Sequence, residues 1–145
     1  MKDLPELFDL TGRVAIVAGG AGLLGTEFCR TLAESGAAVI IADINGGAAG
    51  KLASLFNKKG YSAQGQQVDV TSAESVQTMV TAAINAFGRV DILVNSAALD
   101  PKFDPHSQAE HSGSFEDYPL ELWRKALDVN LTGVMLCCQA VSRQQ

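Results

Sequence analysis

Residues 19–25 read Gly-Gly-Ala-Gly-Leu-Leu-Gly, and they follow a β-branched run and precede a helical pattern. Gly20, Gly22 and Gly25 fit G-x-G-x-x-G. Glycine suits this place for two reasons. The backbone must turn sharply, and a Cβ would stand where a diphosphate has to approach. The helix that opens next offers unpaired N–H groups and the positive end of its dipole to that diphosphate. Gly25 is read as the residue that lets helix and strand come close. A glycine-rich turn without a ligand is the plainer reading of the same residues, and the strand–loop–helix context argues against it.

Asp43 stands eighteen positions after Gly25, at the end of the next apolar run. A carboxylate there can accept both hydroxyls of an adenosine ribose, and it repels a 2′-phosphate. Ile44 follows, and no Lys or Arg lies between Arg30 and Lys51. The pattern therefore implies NAD in preference to NADP.

These residues need a frame. Residues 13–18 (RVAIVA) and 37–42 (AAVIIA) read as strands buried on both faces. Leu24, Phe28, Thr31 and Leu32 recur at helical spacing, and Gly36 ends that helix. Leu52, Leu55 and Phe56 mark a second helix closed by Gly60. Residues 63–70 form a more polar strand, expected at an edge. Thr71 with Glu74 reads as a capping box. Val76, Met79, Val80, Ala83, Ile84 and Phe87 give the third helix its stripe, and Gly88 stops it. Residues 90–95 (VDILVN) are the fourth strand, read as covered on both sides. A loop over about 99–118 carries both histidines, and a last helix starts near Pro119 with Leu122, Trp123, Ala126 and Leu127. Strands alternating with amphipathic helices give an α/β, Rossmann-like, doubly wound parallel sheet in the order 3-2-1-4, one domain over residues 1–145.

Composition narrows the partners. The 145 residues carry a net charge of −5 and no basic run, which argues against nucleic acid and anionic membranes. The apolar runs are too short to cross a bilayer, and the first ten residues hold three acidic groups and no signal-peptide core. Cys29, Cys137 and Cys138 have no metal-ligand spacing and read as thiols of a reducing, cytoplasmic compartment. A metal site built from His106, His111, Asp104, Glu110, Glu116 and Asp117 fits no strong template, so none is expected. The better reading is a solvated loop near the mouth of a substrate site.

Four motifs in order resemble the short-chain dehydrogenase/reductase (SDR) family from about Phe8 to Gln139: the glycine loop, Asp69-Val70, Asn95-Ser96-Ala97-Ala98, and Asn130 within Asp128-Val129-Asn130-Leu131-Thr132-Gly133. The resemblance implies that Asp69 meets the adenine amino group beside the Val70 backbone. It implies that Asn95 stabilises the central sheet and that the Ala97-Ala98 backbone passes the cofactor ribose. It also implies that Asn130 holds a water in a proton relay. Cofactor-binding residues are thus expected at Gly19, Gly20, Gly22, Leu24, Gly25, Asp43, Ile44, Asp69, Val70, Asn95, Ala97 and Ala98. Ala18 stands where the family usually has Thr, and Ser96 and Ala98 depart from its Asn-Asn-Ala-Gly. The Gly19, Gly22, Gly25 spacing is commoner in the branch acting on nucleotide sugars.

The family's chemistry needs a Ser and a Tyr-x-x-x-Lys motif. Here Tyr61 is followed four later by Gly65, and Tyr118 by Leu122. The chain is expected to bind NAD(H) as the N-terminal portion of an oxidoreductase acting on an unidentified carbonyl or alcohol, and to turn nothing over alone. The alternatives are a stand-alone dinucleotide-binding or interaction module, a portion of a nucleotide-sugar enzyme, and an enzyme completed by a second polypeptide. With the fourth strand at an edge, a homo-oligomer is expected.

Overall fold

The computed structural model describes residues 7–100 and 115–144. Four parallel strands form its sheet: β1 (Val14–Ala18), β2 (Ala38–Asp43), β3 (Ala63–Gln67) and β4 (Ile92–Asn95), in the order β3-β2-β1-β4. Helices α1 (Leu23–Glu34), α2 (Gly46–Lys58) and α3 (Ala73–Phe87) connect them. After β4 come a 3-10 turn (Phe115–Asp117), α4 (Leu120–Leu127), a π-helical turn (Asp128–Gly133) and α5 (Val134–Ser142). The order is the one that right-handed crossovers and a switch point beside β1 require.

The register aligns the ends of the strands that matter. Ala18 lies beside Ala42 on one side and Asn95 on the other. Every residue of β1 is buried, so its apolar run has no polar alternation to show. Successive side chains serve opposite faces. Ile16, Ala18, Ile40 and Ala42 pack with Val76, Met79 and Val80 of α3 and with Cys137, Ala140 and Val141 of α5. Val17, Val39 and Ile41 pack with Cys29 and Ala33 of α1 and with Ala49, Ala53 and Phe56 of α2. Each fully buried Ile, Val or Met contributes about 1.5–3 kcal/mol.

Punctuation sets the helix ends. Gly36, Gly60 and Gly88 all have left-handed φ (96°, 88° and 81°) where the helices stop. Asn45 caps α2 by accepting from the Ala48 N–H at 3.0 Å.

Four expectations are corrected. The cap of α3 is Ser72, whose hydroxyl accepts from the Ser75 N–H at 3.3 Å, while Thr71 instead bonds Asp69. Ser72 wins because Asp69 already holds Thr71 through both its N–H and its hydroxyl. The buried face of α1 is Gly25, Cys29 and Ala33, with Leu32 partly covered, and Leu24 and Phe28 are exposed. Small residues take the inner positions because the helix lies against the glycine loop and sheet. On α2 the expected Leu52 and Phe56 do face inward, joined by Ala49 and Ala53, and only Leu55 is instead half-exposed. Finally β4 is half-buried along its length, since among the described residues it pairs only with β1. At the other edge β3 stops at Gln67, and Val68 and Val70 remain buried beyond it.

Residues 101–114, with both histidines and most of the loop weighed as a metal site, lie outside the described residues.

Candidate functional site

The glycine loop is bound down from below. The Gly20 N–H donates to the Ala42 carbonyl at 2.9 Å, and the Gly20 carbonyl accepts from the Cys29 thiol at 3.6 Å. Burial pushes that thiol up to about 12, so it stays neutral. Three glycines are demanded by packing. A Cβ on Gly19 would lie 2.5 Å from the Ala97 nitrogen, and one on Gly20 would lie 2.8 Å from the Val17 carbonyl oxygen. A Cβ on Gly25 would collide with the Gly19 carbonyl oxygen. Gly25 thus brings the helix onto the loop, rather than onto the strand as the motif suggested.

Gly22 differs. Its φ of −74° suits any residue, and a Cβ there would meet only the Gly19 carbonyl oxygen, at 3.3 Å. Of the glycines in the loop, packing therefore constrains this one least. Gly22 also caps α1 without any side-chain hydrogen bond, in contrast to Asn45 on α2 and Ser72 on α3. No side chain closes the positive end of the α1 dipole.

A cleft of about 290 Å³ opens in front of this loop, at the carboxyl ends of the strands. It is near the lower limit of ~300 Å³ for small-molecule sites. Gly19, Gly22, Asp43, Ile44, Asp69, Val70, Ala97 and Ala98 line it, as do four residues that sequence reasoning did not select: Val68, Ser96, Leu99 and Val129. Gly20, Leu24, Gly25, Asn95 and Asn130 do not line it. Val68 and Val129 carried no polar signal, and only the fold brings them to the wall.

The polar groups of the cleft are oriented. Asp43 Oδ2 accepts from the Ala21 N–H at 3.0 Å, and Oδ1 from the Asn45 N–H at 2.9 Å. Asp69 Oδ1 accepts from the Thr71 N–H at 2.9 Å and the Thr71 hydroxyl at 2.7 Å. The chain past β4 keeps its course because the Ser96 N–H donates to the Ala18 carbonyl at 2.8 Å. Asn95 turns toward α5, its Nδ2 donating to Cys138 Sγ at 3.5 Å.

Asn130 sits in the π-helical turn, a local widening that recurs at functional sites. Its Oδ1 accepts from the Leu99 N–H at 2.8 Å and its Nδ2 donates to the Leu99 carbonyl at 3.0 Å. The amide copies a strand partner and holds the segment after β4 to the helix. The wide turn itself has no signature in the sequence.

A larger open groove, about 530 Å³, lies against Leu10, Arg13, Arg89 and Asp91. Its centre is an ion-pair staple. Asp91 accepts from Arg89 at 2.6 Å, from Arg13 at 2.9 Å and from the Val14 N–H at 2.9 Å. The Arg89 hydrogen bond above all holds its carboxyl well below the usual carboxylate range. Asp91 precedes β4 and ties the start of β1, so this groove is at the amino ends of the strands. Ligands of open α/β sheets bind at the carboxyl ends. The smaller cleft is the functional candidate.

An uncapped helix N-terminus and an oriented carboxylate beside one cleft are features that part of a dinucleotide would need.

Known proteins resemble this chain in sequence and in fold. The chain is 40% identical over 136 residues to the short chain dehydrogenase/reductase astE of Aspergillus oryzae, covering 91% of this chain and 48% of that protein. It is 34% identical over 137 residues to D-threitol dehydrogenase of Mycolicibacterium smegmatis, covering 94% and 49%. The crystal structure of hydroxysteroid dehydrogenase from Escherichia coli superposes with a TM-score of 0.81 at 30% identity, over 94% of this chain and 54% of that one. The chain thus spans about half the length of the curated relatives it matches. The short chain dehydrogenase family profile matches residues 13–145, and the chain belongs to that family.

Proposed function

We propose that this chain is the NAD(H)-binding portion of an oxidoreductase that moves hydride between a nicotinamide and a carbonyl or alcohol carbon. The observation that carries the reading is Gly22, the glycine of the loop that packing constrains least, facing the same cleft as the Asp43 carboxylate. The nicotinamide supplies the hydride chemistry when bound. This chain's residues bind and orient: the first turn of α1 takes the diphosphate, and Asp43 takes the ribose hydroxyls. The choice of NAD over NADP rests on that carboxylate and on the absence of Lys and Arg between Arg30 and Lys51.

Turnover is assigned to the whole enzyme. The sequence given contains no Tyr-x-x-x-Lys, so this chain alone binds without reacting. Relatives such as D-threitol dehydrogenase and cis-4-hydroxycyclohexanecarboxylate dehydrogenase support an alcohol or its carbonyl as substrate class. A reducing compartment belongs to the same reading, supported by three free cysteines. So does self-association, supported by the unpaired side of β4 among the described residues.

The test is a fluorescence titration with NADH and NADPH. The wild-type chain is expected to prefer NADH. Asp43→Ala is expected to weaken NADH about tenfold and to narrow the NADH/NADPH gap. Unchanged selectivity contradicts the assignment of Asp43.

A further inference from the structure

We infer that Asp43 is also a positioning residue for the diphosphate cradle, so that the two ends of the cofactor site are coupled through one carboxylate. For its ligand half, this rests on the dinucleotide reading above. Residues 19–22 hold three glycines and an alanine, and so bring no polar side chain with which to fasten themselves. Apart from the Gly22 N–H, which donates to the Gly19 carbonyl at 3.1 Å, their tethers run outward. Gly20 is held by the Ala42 carbonyl and the weak Cys29 thiol. Ala21, the residue just before Gly22, is held by Asp43 Oδ2 at 3.0 Å. The other oxygen of Asp43 accepts from the Asn45 N–H, at the cap of α2. One side chain therefore joins the loop, the end of β2 and the start of α2.

Hydrogen bonds to a carboxylate are roughly twice as strong as neutral ones. Each carboxylate oxygen has two acceptor sites, so Oδ2 can keep the Ala21 N–H while it takes a ribose hydroxyl. A residue that only read the ribose would matter only for ligands that have the hydroxyls. A residue that also sets the loop matters for any ligand that uses the loop. Electrostatics sharpens the distinction: removing a negative charge near a diphosphate favours binding, so a weaker complex has to come from the loop.

The experiment is a cycle between residue and ligand, run on the purified chain. NADH and an NADH analogue lacking both adenosine-ribose hydroxyls are titrated into wild type and Asp43→Ala. The coupling predicts that the analogue binds the variant at least about threefold more weakly than wild type. Equal or tighter binding of the analogue by the variant overturns it. Amide hydrogen exchange of the ligand-free chain gives a second readout. Exchange at Ala21 is expected to quicken about tenfold in the variant while Ile16 and Ile40 keep their protection, and an unchanged Ala21 rate overturns the anchor. Asp43→Leu, close in shape but without an acceptor, repeats both measurements if the alanine variant does not fold. If wild type binds neither NADH nor the analogue, the dinucleotide reading fails, and the exchange result still decides whether Asp43 holds the loop.

Discussion

The β1–α1–β2 unit and the helical stretch from α4 to α5 both leave apolar side chains exposed, Leu23, Leu24 and Phe28 in the first among them, but they differ in how closely their backbones pack. In the first, β1 is buried throughout and α1 packs so closely that Gly25 has no room for a methyl group. In the second, no residue of α4 is buried, and Leu120, Trp123, Leu127, Leu131 and Met135 are all exposed, Leu131 at 65%. The π-helical turn between α4 and α5 joins the rest through Val129 against the core, Gly133 against Val70 and Asn130 against Leu99. The difference teaches where this chain determines its own structure. The glycine-loop end closes tightly on backbone contacts, those to Ser96 and Ala97 included. The helical end offers one side to the sheet and leaves another uncovered by the described residues.

The largest effect that sharpens this contrast belongs to Gly25→Ala. The added carbon overlaps the Gly19 carbonyl, so the variant is expected to lose about 3 kcal/mol or more in urea denaturation. A loss under about 0.5 kcal/mol would show the loop to be soft and break the comparison. Next comes the staple beneath β1. The folded pKa of Asp91 is depressed well below its unfolded value, so its contribution is fully present above about pH 4 and is lost progressively as pH falls below that toward the folded pKa. Asp91→Asn is expected to lower Tm at pH 7, and the gap to wild type is expected to begin narrowing only below about pH 4. A gap that stays constant with pH contradicts the ion-pair origin. The smallest stability effect is at the other end of the molecule. Leu131→Ser is expected to change stability by less than about 0.5 kcal/mol and to reduce self-association in sedimentation. A large loss of stability would mean that this face is already packed.

Most of the scaffold was legible in the sequence because its signals are local. Short β-branched runs between glycines marked β1 and β2, left-handed glycines marked the helix ends, and the crossover rule ordered the sheet. Asp43 was legible as a cleft residue because it sits where a strand ends, whereas Asp69 and the Ala97-Ala98 backbone were marked only by the family resemblance. What failed to show depends on contacts distant in sequence. The inner face of α1 belongs to Cys29 and Ala33 rather than Leu24 and Phe28, because the loop and sheet leave space only for small groups. Thr71 lost the cap to Ser72 through its bonds to Asp69. The motif also could not say which glycine faces the ligand. Gly20 and Gly25 fit the pattern as well as Gly22 does, and only the surrounding atoms separate them.

That separation gives the most direct test of the account. NADH is titrated into the wild-type chain and into Gly22→Ala, with urea denaturation of both. The account predicts saturable binding by wild type, at least about tenfold weaker binding by the variant, and stabilities within about 0.5 kcal/mol of each other. Wild type that binds no NADH, or a Gly22→Ala chain that binds it equally well, would contradict the claim that this glycine makes room for a dinucleotide.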